Sequence, residues 1–222
     1  MRPNLERLEA FLDGLGLDYE IIIGSNGSTD ATEAEGELLA AGDHRVKFFA
    51  LVRPGPGAAF ARAVEMASSQ AVLTLDMDLS MDLDFVPRAL ELLPAHPVVI
   101  GSKMQGRQER SMGRILGSGL YILCARLLLG LPFHDYSIGA KAFRRDVALS
   151  FKHLIDGHTA YVGNLIFAAH RAGLSIIEVP VGCSDKRRSR FNLCHEGLYR
   201  VSWLLRLFWR YKVLRGDPWR GA

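Results

Sequence analysis

Two carboxylates follow an apolar run in the first half of the chain. Asp76 and Asp78 come directly after residues 71–75, whose composition is that of a buried strand. Alternation along an extended strand end puts both side chains on the same side. Their hard oxygen atoms suit Mg²⁺ or Mn²⁺, which bridge to the oxygens of a diphosphate. The sequence therefore predicts a cation site here. The competing interpretation is that these acids, together with Asp82 and Asp84, cap the following helix.

The elements around these carboxylates follow an alternating pattern. Short β-rich runs alternate with segments of helical periodicity, which is typical of βαβ units and a mostly parallel central sheet flanked by helices. We predict an α/β fold whose strands cover residues 19–24, 46–52, 71–76, 97–102 and 174–179. The predicted helices cover residues 28–41, 57–67, 82–93, 112–129, 160–172 and 196–215, the first of them capped by Ser28 or Thr29. Ligands of open α/β folds bind at the carboxyl ends of strands, which is where Asp76 stands.

Length and composition favour one folded domain. The chain has 222 residues, of which 49% are hydrophobic and 23% charged, and these values exclude a disordered protein. The spacing of Cys124, Cys183 and Cys194 suggests neither a disulfide framework nor a zinc site, and it fits a reducing compartment. We see no signal peptide and no run of about 18 apolar residues. The sequence predicts a protein that is soluble or lies on a membrane without crossing it.

Charge is concentrated near the C-terminus. Residues 186–220 contain ten basic and two acidic side chains, a net charge of +8. The totals of 27 basic and 24 acidic residues leave 17 and 22 for the remainder, a net charge of −5. A basic segment attracts phosphate groups, anionic lipid or nucleic acid, although it can also be a merely solvated face. Nucleic acid is the poorest of these partners, because the aromatic residues have helical spacing and no recognition motif is present.

The C-terminal segment also has a strongly apolar face. Between residues 197 and 215, Arg200, Arg206 and Arg210 form a narrow polar stripe among leucine and aromatic residues. We predict that residues 196–222 form a basic amphipathic helix on a membrane surface, outside a domain of residues 1–195. The alternative is a helix packed on its own sheet. Residues 115–131 present a second apolar surface, for which membrane contact and core packing both remain open.

Six motifs, in order, resemble those of family 2 glycosyltransferases of the GT-A fold, most of all the dolichol-phosphate mannose synthase branch. The resemblance spans about residues 16 to 194. The motifs are YEIIIGSNGSTD (19–30), an arginine and glycine-rich turn (53–63), LDMDLS followed by FVP (75–87), IGSK (100–103), LLLGLP followed by DYSIGAKAFR (127–144), and IEVPV with the basic segment behind it (177–191).

The resemblance implies a metal-dependent hexosyltransferase at the cytoplasmic face of a membrane, peripheral or held by spans outside this chain. It implies mannose transfer from GDP-mannose to a polyprenyl (dolichyl) phosphate. UDP-glucose or a UDP-N-acetylhexosamine is the alternative donor, and a non-catalytic nucleotide-sugar or membrane-binding module is the alternative of another class. In this family pattern Asp76 and Asp78 are the ligands of Mg²⁺ or Mn²⁺, Ser80 is a further ligand, and Asp78 has a catalytic role.

The same resemblance assigns the other candidate residues. Asp135 is the second catalytic candidate and faces the sugar and the attacking group. It acts as a positioning residue if the acceptor is a phosphate, because an anionic phosphate needs no general base. The remaining donor-binding candidates are Ser25, Asn26, Asp30, Lys103, Arg188, Ser189 and Arg190, and the last three lie on a loop of residues 182–194 that closes over the donor. Candidates for the acceptor phosphate are Arg107, Arg110 and Arg114.

The chain departs from the family pattern in three places. A first strand that helps to hold the nucleotide base is missing, since the sequence begins with a helix-like segment. Ser25 and Asn26 replace two acidic residues, and the glycine-rich turn at residues 54–57 reads Pro-Gly-Pro-Gly. These departures motivate the alternative of a binding module without catalytic activity.

Overall fold

The computed structural model describes residues 1–109, 112–136, 138–184 and 193–213. The strands are β1 (Ile21–Asn26), β2 (Val46–Leu51), β3 (Ala71–Thr74), β4 (Val98–Ser102), β5 (Gln108–Glu109), β6 (Lys141–Arg144), β7 (Ile176–Pro180) and β8 (Cys183–Ser184). The α-helices are α1 (Arg2–Gly14), α2 (Thr32–Gly42), α3 (Pro56–Met66), α4 (Phe85–Leu92), α5 (Met112–Leu129), α6 (Arg145–Ser150), α7 (Tyr161–Arg171) and α8 (Leu193–Leu207). A 3-10 turn (Lys152–Leu154) follows α6, and a π-helical segment (Phe208–Val213) continues α8.

The strands form three groups. β1 pairs with β2 in parallel, and β5 pairs with β8 in parallel. The largest sheet has the order β3-β6-β4-β7, in which β4 and β7 are parallel and β6 is antiparallel to both of its neighbours. The predicted α/β class with parallel strands and flanking helices is confirmed. Strand β6 and helix α6 were missing from the sequence prediction, and α2 begins at Thr32 rather than at a cap formed by Ser28 or Thr29.

The main hydrophobic core surrounds strand β4. All five of its residues are buried, and β6 and β7 flank the strand on its two sides. Helix α7 contributes an uninterrupted buried segment, residues 162–169, to the same core. A second, smaller cluster joins α1 to the β1–β2 pair through Leu5, Ile23 and Val46. The sheet that carries the candidate site is therefore held rigidly from several directions.

The C-terminal helix has one face in the core. Leu204, Leu207 and Tyr211 are buried in the main cluster, and α8 packs against α5. The opposite faces of the two helices expose apolar side chains. These are Met112, Leu116, Leu120, Leu123 and Leu127 on α5, and Leu198, Leu205, Trp209 and Val213 on α8 and its continuation. Among the described residues, no helix combines the length and the apolarity that a membrane crossing requires.

Candidate active site

The ends of four strands meet at one edge of the main sheet. Thr74, near the end of β3, and Ile100 in β4 both pair with Lys141 at the start of β6. Ile100 also pairs with Glu178 of β7. Because β6 runs antiparallel, the loop that precedes it reaches the edge where β3, β4 and β7 end. The topology therefore brings Asp76 and Lys103 close to Asp135 and to residues 138–140.

Asp76 and Asp78 lie in a turn and not on an extended strand end. Strand β3 ends at Thr74, and the backbone N–H of Leu79 donates to the carbonyl of Asp76 at 2.9 Å. Leu79 has a φ of 47°, a left-handed conformation that is rare for leucine. The alternation argument for the two carboxylates is therefore wrong, although the turn still presents Asp76 to solvent and keeps Asp78 half-buried.

The Asp78 side chain closes the turn in which it lies. Asp78 Oδ1 accepts a hydrogen bond from the backbone N–H of Ser80 at 2.9 Å. On the N-terminal side, the amide of Asn4 in α1 donates to the carbonyl of Met77 at 2.9 Å. Ser80 thus supports the turn through its backbone, and its role as a metal ligand stays a prediction.

Asp76 lies against the loop that leads to β6. A Cβ atom built on Gly139 would stand 2.3 Å from Asp76 Oδ2, which is possible only because the residue is glycine. The hydroxyl of Thr74 donates to the carbonyl of Gly139 at 2.6 Å and ties the same loop to β3. The structure therefore brings Asp76 to the segment that also carries Asp135.

Asp135 is buried and already hydrogen-bonded. Its Oδ1 accepts from the backbone N–H of Ile138 at 3.1 Å, and its Oδ2 accepts from the backbone N–H of Lys103 at 3.3 Å. The ammonium group of Lys103 lies 3.4 Å from Oδ2. Lys103 and Asp135, which were predicted separately as donor-binding and catalytic residues, therefore form an ion pair. Such a pair fixes the carboxylate in one orientation.

Lys141 is a charged residue that the sequence analysis did not select. It is 1% exposed, and among the described residues its ammonium nitrogen has no hydrogen-bond partner. Burial lowers the pKa of Lys141 to about 7, while the negative charges of Asp135 and Asp76 favour its charged form. The signal that would have found it is a lone lysine in the apolar run of residues 138–143. Its position makes it a buried counter-charge beneath the two carboxylates.

The predicted nucleoside side has a different arrangement. Ser25 is buried, and its hydroxyl has no hydrogen-bond partner within the described part of the chain. The side-chain oxygen of Asn26 accepts from the backbone N–H of Gly55, so that Asn26 holds the glycine-rich turn against the end of β1. Asp30 Oδ1 accepts from the backbone N–H of Thr32 at 3.1 Å, directly before α2. Asn26 and Asp30 thus have structural contacts of their own, and nucleoside binding by these residues stays a prediction.

The glycine-rich turn also contacts the C-terminal helix through one intermediate loop. Gly57 donates its backbone N–H to the carbonyl of His158 at 3.0 Å. In the same loop, Asp156 Oδ2 accepts from the hydroxyl of Tyr199 in α8 at 2.6 Å. Helix α8 is therefore connected to the turn beside Asn26.

The segment after Asp78 is tied to the beginning of the predicted closing loop. Asp82 Oδ2 accepts from the backbone N–H of Gly182 at 3.1 Å, and Met81 bridges to Cys183. Within the described residues, Asp84 precedes α4 without a capping side-chain hydrogen bond, so the helix-cap interpretation of these acids is wrong. Four predicted site residues lie outside the described ones, namely Arg188, Ser189, Arg190 and Arg110, and nothing is described of the Arg114 side chain.

The chain offers two carboxylates for a cation. In the described segments, no three His, Cys, Asp or Glu side chains converge as a complete ligand set. Asp76 and Asp78 supply hard oxygen donors that suit Mg²⁺ or Mn²⁺. A bound diphosphate has oxygens that suit the remaining coordination positions of such a cation.

The chain is similar in sequence to known glycosyltransferases. The family model described as glycosyl transferase family 2 matches residues 5–149. Glycosyltransferase AglD of Haloferax volcanii is 28% identical over 219 residues, which are 96% of this chain and 35% of that protein. The undecaprenyl-phosphate 4-deoxy-4-formamido-L-arabinose transferase of Aeromonas hydrophila is 28% identical over 198 residues, 86% of this chain and 58% of that one. Its counterpart in Pseudomonas aeruginosa is 32% identical over 148 residues, which are 64% of this chain and 42% of that protein. The chain thus spans only part of the length of these relatives.

Solved structures show the same fold. Glucosyl-3-phosphoglycerate synthase from Mycobacterium tuberculosis in complex with UDP superimposes with a TM-score of 0.65 at 24% identity, over 90% of this chain and 75% of that one. The complex of the same enzyme with Mn²⁺, UDP-glucose and phosphoglyceric acid gives a TM-score of 0.65, again at 24% identity, over 90% and 74%. These similarities confirm the predicted GT-A architecture.

Proposed function

The chain belongs to glycosyl transferase family 2, and we propose that it transfers a sugar from a nucleoside diphosphate sugar to a polyprenyl phosphate with the help of a divalent cation. The observation that carries the proposal is the convergence of the Asp76–Asp78 turn with the segment of Asp135 at one sheet edge. The relatives whose names include undecaprenyl phosphate support the acceptor class.

In this proposal the principal barrier is the negative charge that develops on the leaving diphosphate. Asp76 and Asp78 would hold Mg²⁺ or Mn²⁺, which when bound would stabilise that charge electrostatically. The buried Lys141 side chain, in its charged form, offsets part of the negative charge of Asp76 and Asp135. Arg188 and Arg190, which lie outside the described residues, are the proposed cationic contacts to the donor phosphates.

The surroundings of Asp135 favour a positioning role. A general base must accept a proton, whereas the carboxylate of Asp135 already accepts hydrogen bonds from two backbone N–H groups and pairs with Lys103. A phosphate acceptor is anionic at neutral pH and needs no base. We therefore propose that Asp135 and Lys103 act together, with the carboxylate orienting the substrates and the ammonium neutralising the site.

The two exposed apolar faces of α5 and α8 support a membrane surface as a partner. The helices pack side by side, and Leu120, Leu127 and Trp209 are 63%, 74% and 59% exposed. Leucine and tryptophan suit the boundary between headgroups and acyl chains, and the basic C-terminal segment suits anionic lipid. A lipid-linked acceptor lies in such a surface, so we propose peripheral docking at the cytoplasmic face of a membrane through these faces.

A transfer assay can decide between the two proposed donors. The family resemblance favours GDP-mannose, and the alternative is UDP-glucose or a UDP-N-acetylhexosamine. The chain should be incubated with Mn²⁺, polyprenyl phosphate in liposomes and each donor, and the glycolipid product measured. Metal-dependent transfer from one donor, abolished by a chelator, supports the proposal. Donor binding without transfer would favour the non-catalytic module, and silence from every donor would contradict both proposals.

A further inference from the structure

We propose that Glu178 is a positioning residue for the transfer reaction, because its carboxylate holds the backbone of His134 and Asp135 and thereby sets where Asp135 stands in the site. Glu178 lies on β7 and is not among the residues selected from the sequence. This inference rests on the function proposed above.

Four hydrogen bonds converge on the Glu178 carboxylate. Oε1 accepts from the backbone N–H groups of His134 at 2.7 Å and Asp135 at 3.0 Å. Oε2 lies 2.8 Å from Nδ1 of the His134 ring and accepts from the amide of Gln105 at 3.2 Å. The Glu178 side chain is only 9% exposed. A carboxylate has about four acceptor sites, and these contacts use all of them, three with residues 134–135 and one with Gln105.

The contacts that Glu178 makes with the Asp135 main chain complement those that the Asp135 side chain makes. Glu178 fixes the main chain of Asp135, whereas the backbone N–H groups of Lys103 and Ile138 fix its carboxylate. Glu178 pairs with Ile100 in the parallel β4–β7 ladder, and Lys103 follows directly after β4. The two sets of contacts are therefore anchored on adjacent, rigid strands. Loss of Glu178 would release the backbone of Asp135 while its side-chain partners remain.

The His134 ring extends the arrangement to α5. A guanidinium nitrogen of Arg126 lies 3.4 Å from His134 Nε2 and can only donate. The amide nitrogen of Gln105 lies 3.2 Å from Nδ1, but Nδ1 is closer, at 2.8 Å, to the Glu178 carboxylate, which can only accept, so Nδ1 is the protonated nitrogen that donates to Glu178. A glutamine at position 178 would keep one oxygen for the two backbone N–H groups but would place an amide N–H₂ group against His134 Nδ1–H. Glu178→Gln should thus weaken the contacts, and Glu178→Leu should remove them.

A matched control separates positioning from general stability. Glu20 is another partly buried glutamate that accepts from a backbone N–H, that of Ser68 at 2.6 Å, and also bonds to Lys47 at 2.5 Å. It precedes β1 and contacts the residues before β3, at the beginnings of these strands, whereas the site lies at their ends. Glu20→Gln makes the same chemical change without touching the site.

The test uses the full chain with Mn²⁺, the active donor and polyprenyl phosphate in liposomes. We expect Glu178→Gln to lower kcat about 10- to 100-fold, with the KM for the donor changed less than about threefold, because misplacement of a reacting group affects mainly the transition state. Glu178→Leu should lower kcat further. Glu20→Gln should leave kcat near the wild-type value. Wild-type kcat in both Glu178 variants, or an equal loss in Glu20→Gln, would overturn the proposal.

Hydrogen exchange provides a readout that does not depend on activity. The amides of His134 and Asp135 should exchange slowly in the wild type and at least about tenfold faster in Glu178→Leu, because each loses its acceptor. Unchanged protection in that variant would overturn the positioning role even if the enzyme is active. Conversely, a wild-type chain that transfers no sugar but shows the expected change in exchange would contradict the proposed function and leave the contact itself supported.

Discussion

The carboxylate of Asp76 rests on the backbone of Gly139, where an added Cβ atom would stand 2.3 Å from Oδ2 and 2.6 Å from Oδ1. The neighbouring backbone cannot retreat easily, because the carbonyl of Gly139 accepts from Thr74. We therefore expect Gly139→Ala to displace the Asp76 carboxylate. The affinity for Mn²⁺ in the presence of nucleoside diphosphate should fall at least about tenfold in calorimetric titration, since one ligand is moved away.

The control for this variant is Gly42→Ala at the end of α2. A Cβ atom there meets nothing within 4 Å, so the substitution adds the same methyl group in open space. It should leave the Mn²⁺ affinity unchanged and alter the free energy of unfolding by at most about 1 kcal/mol. Equal Mn²⁺ affinity in Gly139→Ala and Gly42→Ala would mean that Asp76 does not bind the cation.

At Asp78, the second carboxylate, the charge can be removed with little change in the shape of the side chain. Asp78→Asn keeps an oxygen that can accept from the N–H of Ser80, so the turn should remain closed. We expect sugar transfer to fall at least about 100-fold, because removing one electrostatic contact to the transition state typically costs that much. The thermal midpoint should stay close to the wild-type value. Asp84→Asn, an exposed neighbour, is the matched control, and equal activity in both variants would refute the metal role.

Lys141 gives the stability of the chain a specific pH dependence. Burial lowers the pKa of Lys141 to about 7, below the ordinary value of 10.5 that it regains on unfolding. Between these values the folded chain binds fewer protons than the unfolded chain, so its contribution to the free energy of unfolding rises with pH. The unfavourable contribution is fully present below about pH 7 and disappears towards pH 10.5.

Lys141→Met removes this contribution while keeping a side chain of similar length. Urea unfolding at several pH values should show that the wild type gains up to about 5 kcal/mol relative to Lys141→Met between pH 7 and 10.5. Lys152→Met, at a half-exposed lysine that bonds to Glu65, is the control and should follow the wild-type curve. Parallel curves for the wild type and Lys141→Met would contradict a depressed pKa.

The sequence identified candidate site residues from local patterns. It did not predict which of them lie near one another, because that depends on strand pairing. Asp76, Asp78 and Asp135 could be selected because acids after apolar runs and in a motif are visible in the sequence. Their relative placement was not predictable, because β6 has four residues, begins and ends with a charged side chain, and pairs with strands about 40 and 70 positions away. The antiparallel β6 nevertheless brings the loop that carries Asp135 and Gly139 to Asp76.

Two residues of the candidate site were not identified from the sequence, for a related reason. Lys141 is the first residue of β6, Glu178 is the one charged residue of β7, and a charged side chain in a strand usually faces solvent. Their burial depends on partners that come from other elements, such as Asp135 above Lys141 and His134 beside Glu178. The turn at Leu79 was also unpredictable, because a leucine with positive φ gives none of the signals of glycine or asparagine.

The proposed membrane docking is better tested with surface substitutions than with a deletion. Removing α8 would also remove Leu204 and Leu207 from the core, so a truncated chain would lose stability as well as lipid contact. We expect Leu120→Ser with Leu127→Ser to lower co-sedimentation with anionic liposomes at least about tenfold, because each exposed leucine contributes apolar area to the bilayer boundary. Leu38→Ser on α2, where the leucine is 67% exposed, should leave co-sedimentation unchanged. Because all three side chains are exposed, the thermal midpoints should stay alike, and equal liposome binding by the double variant would contradict docking through α5.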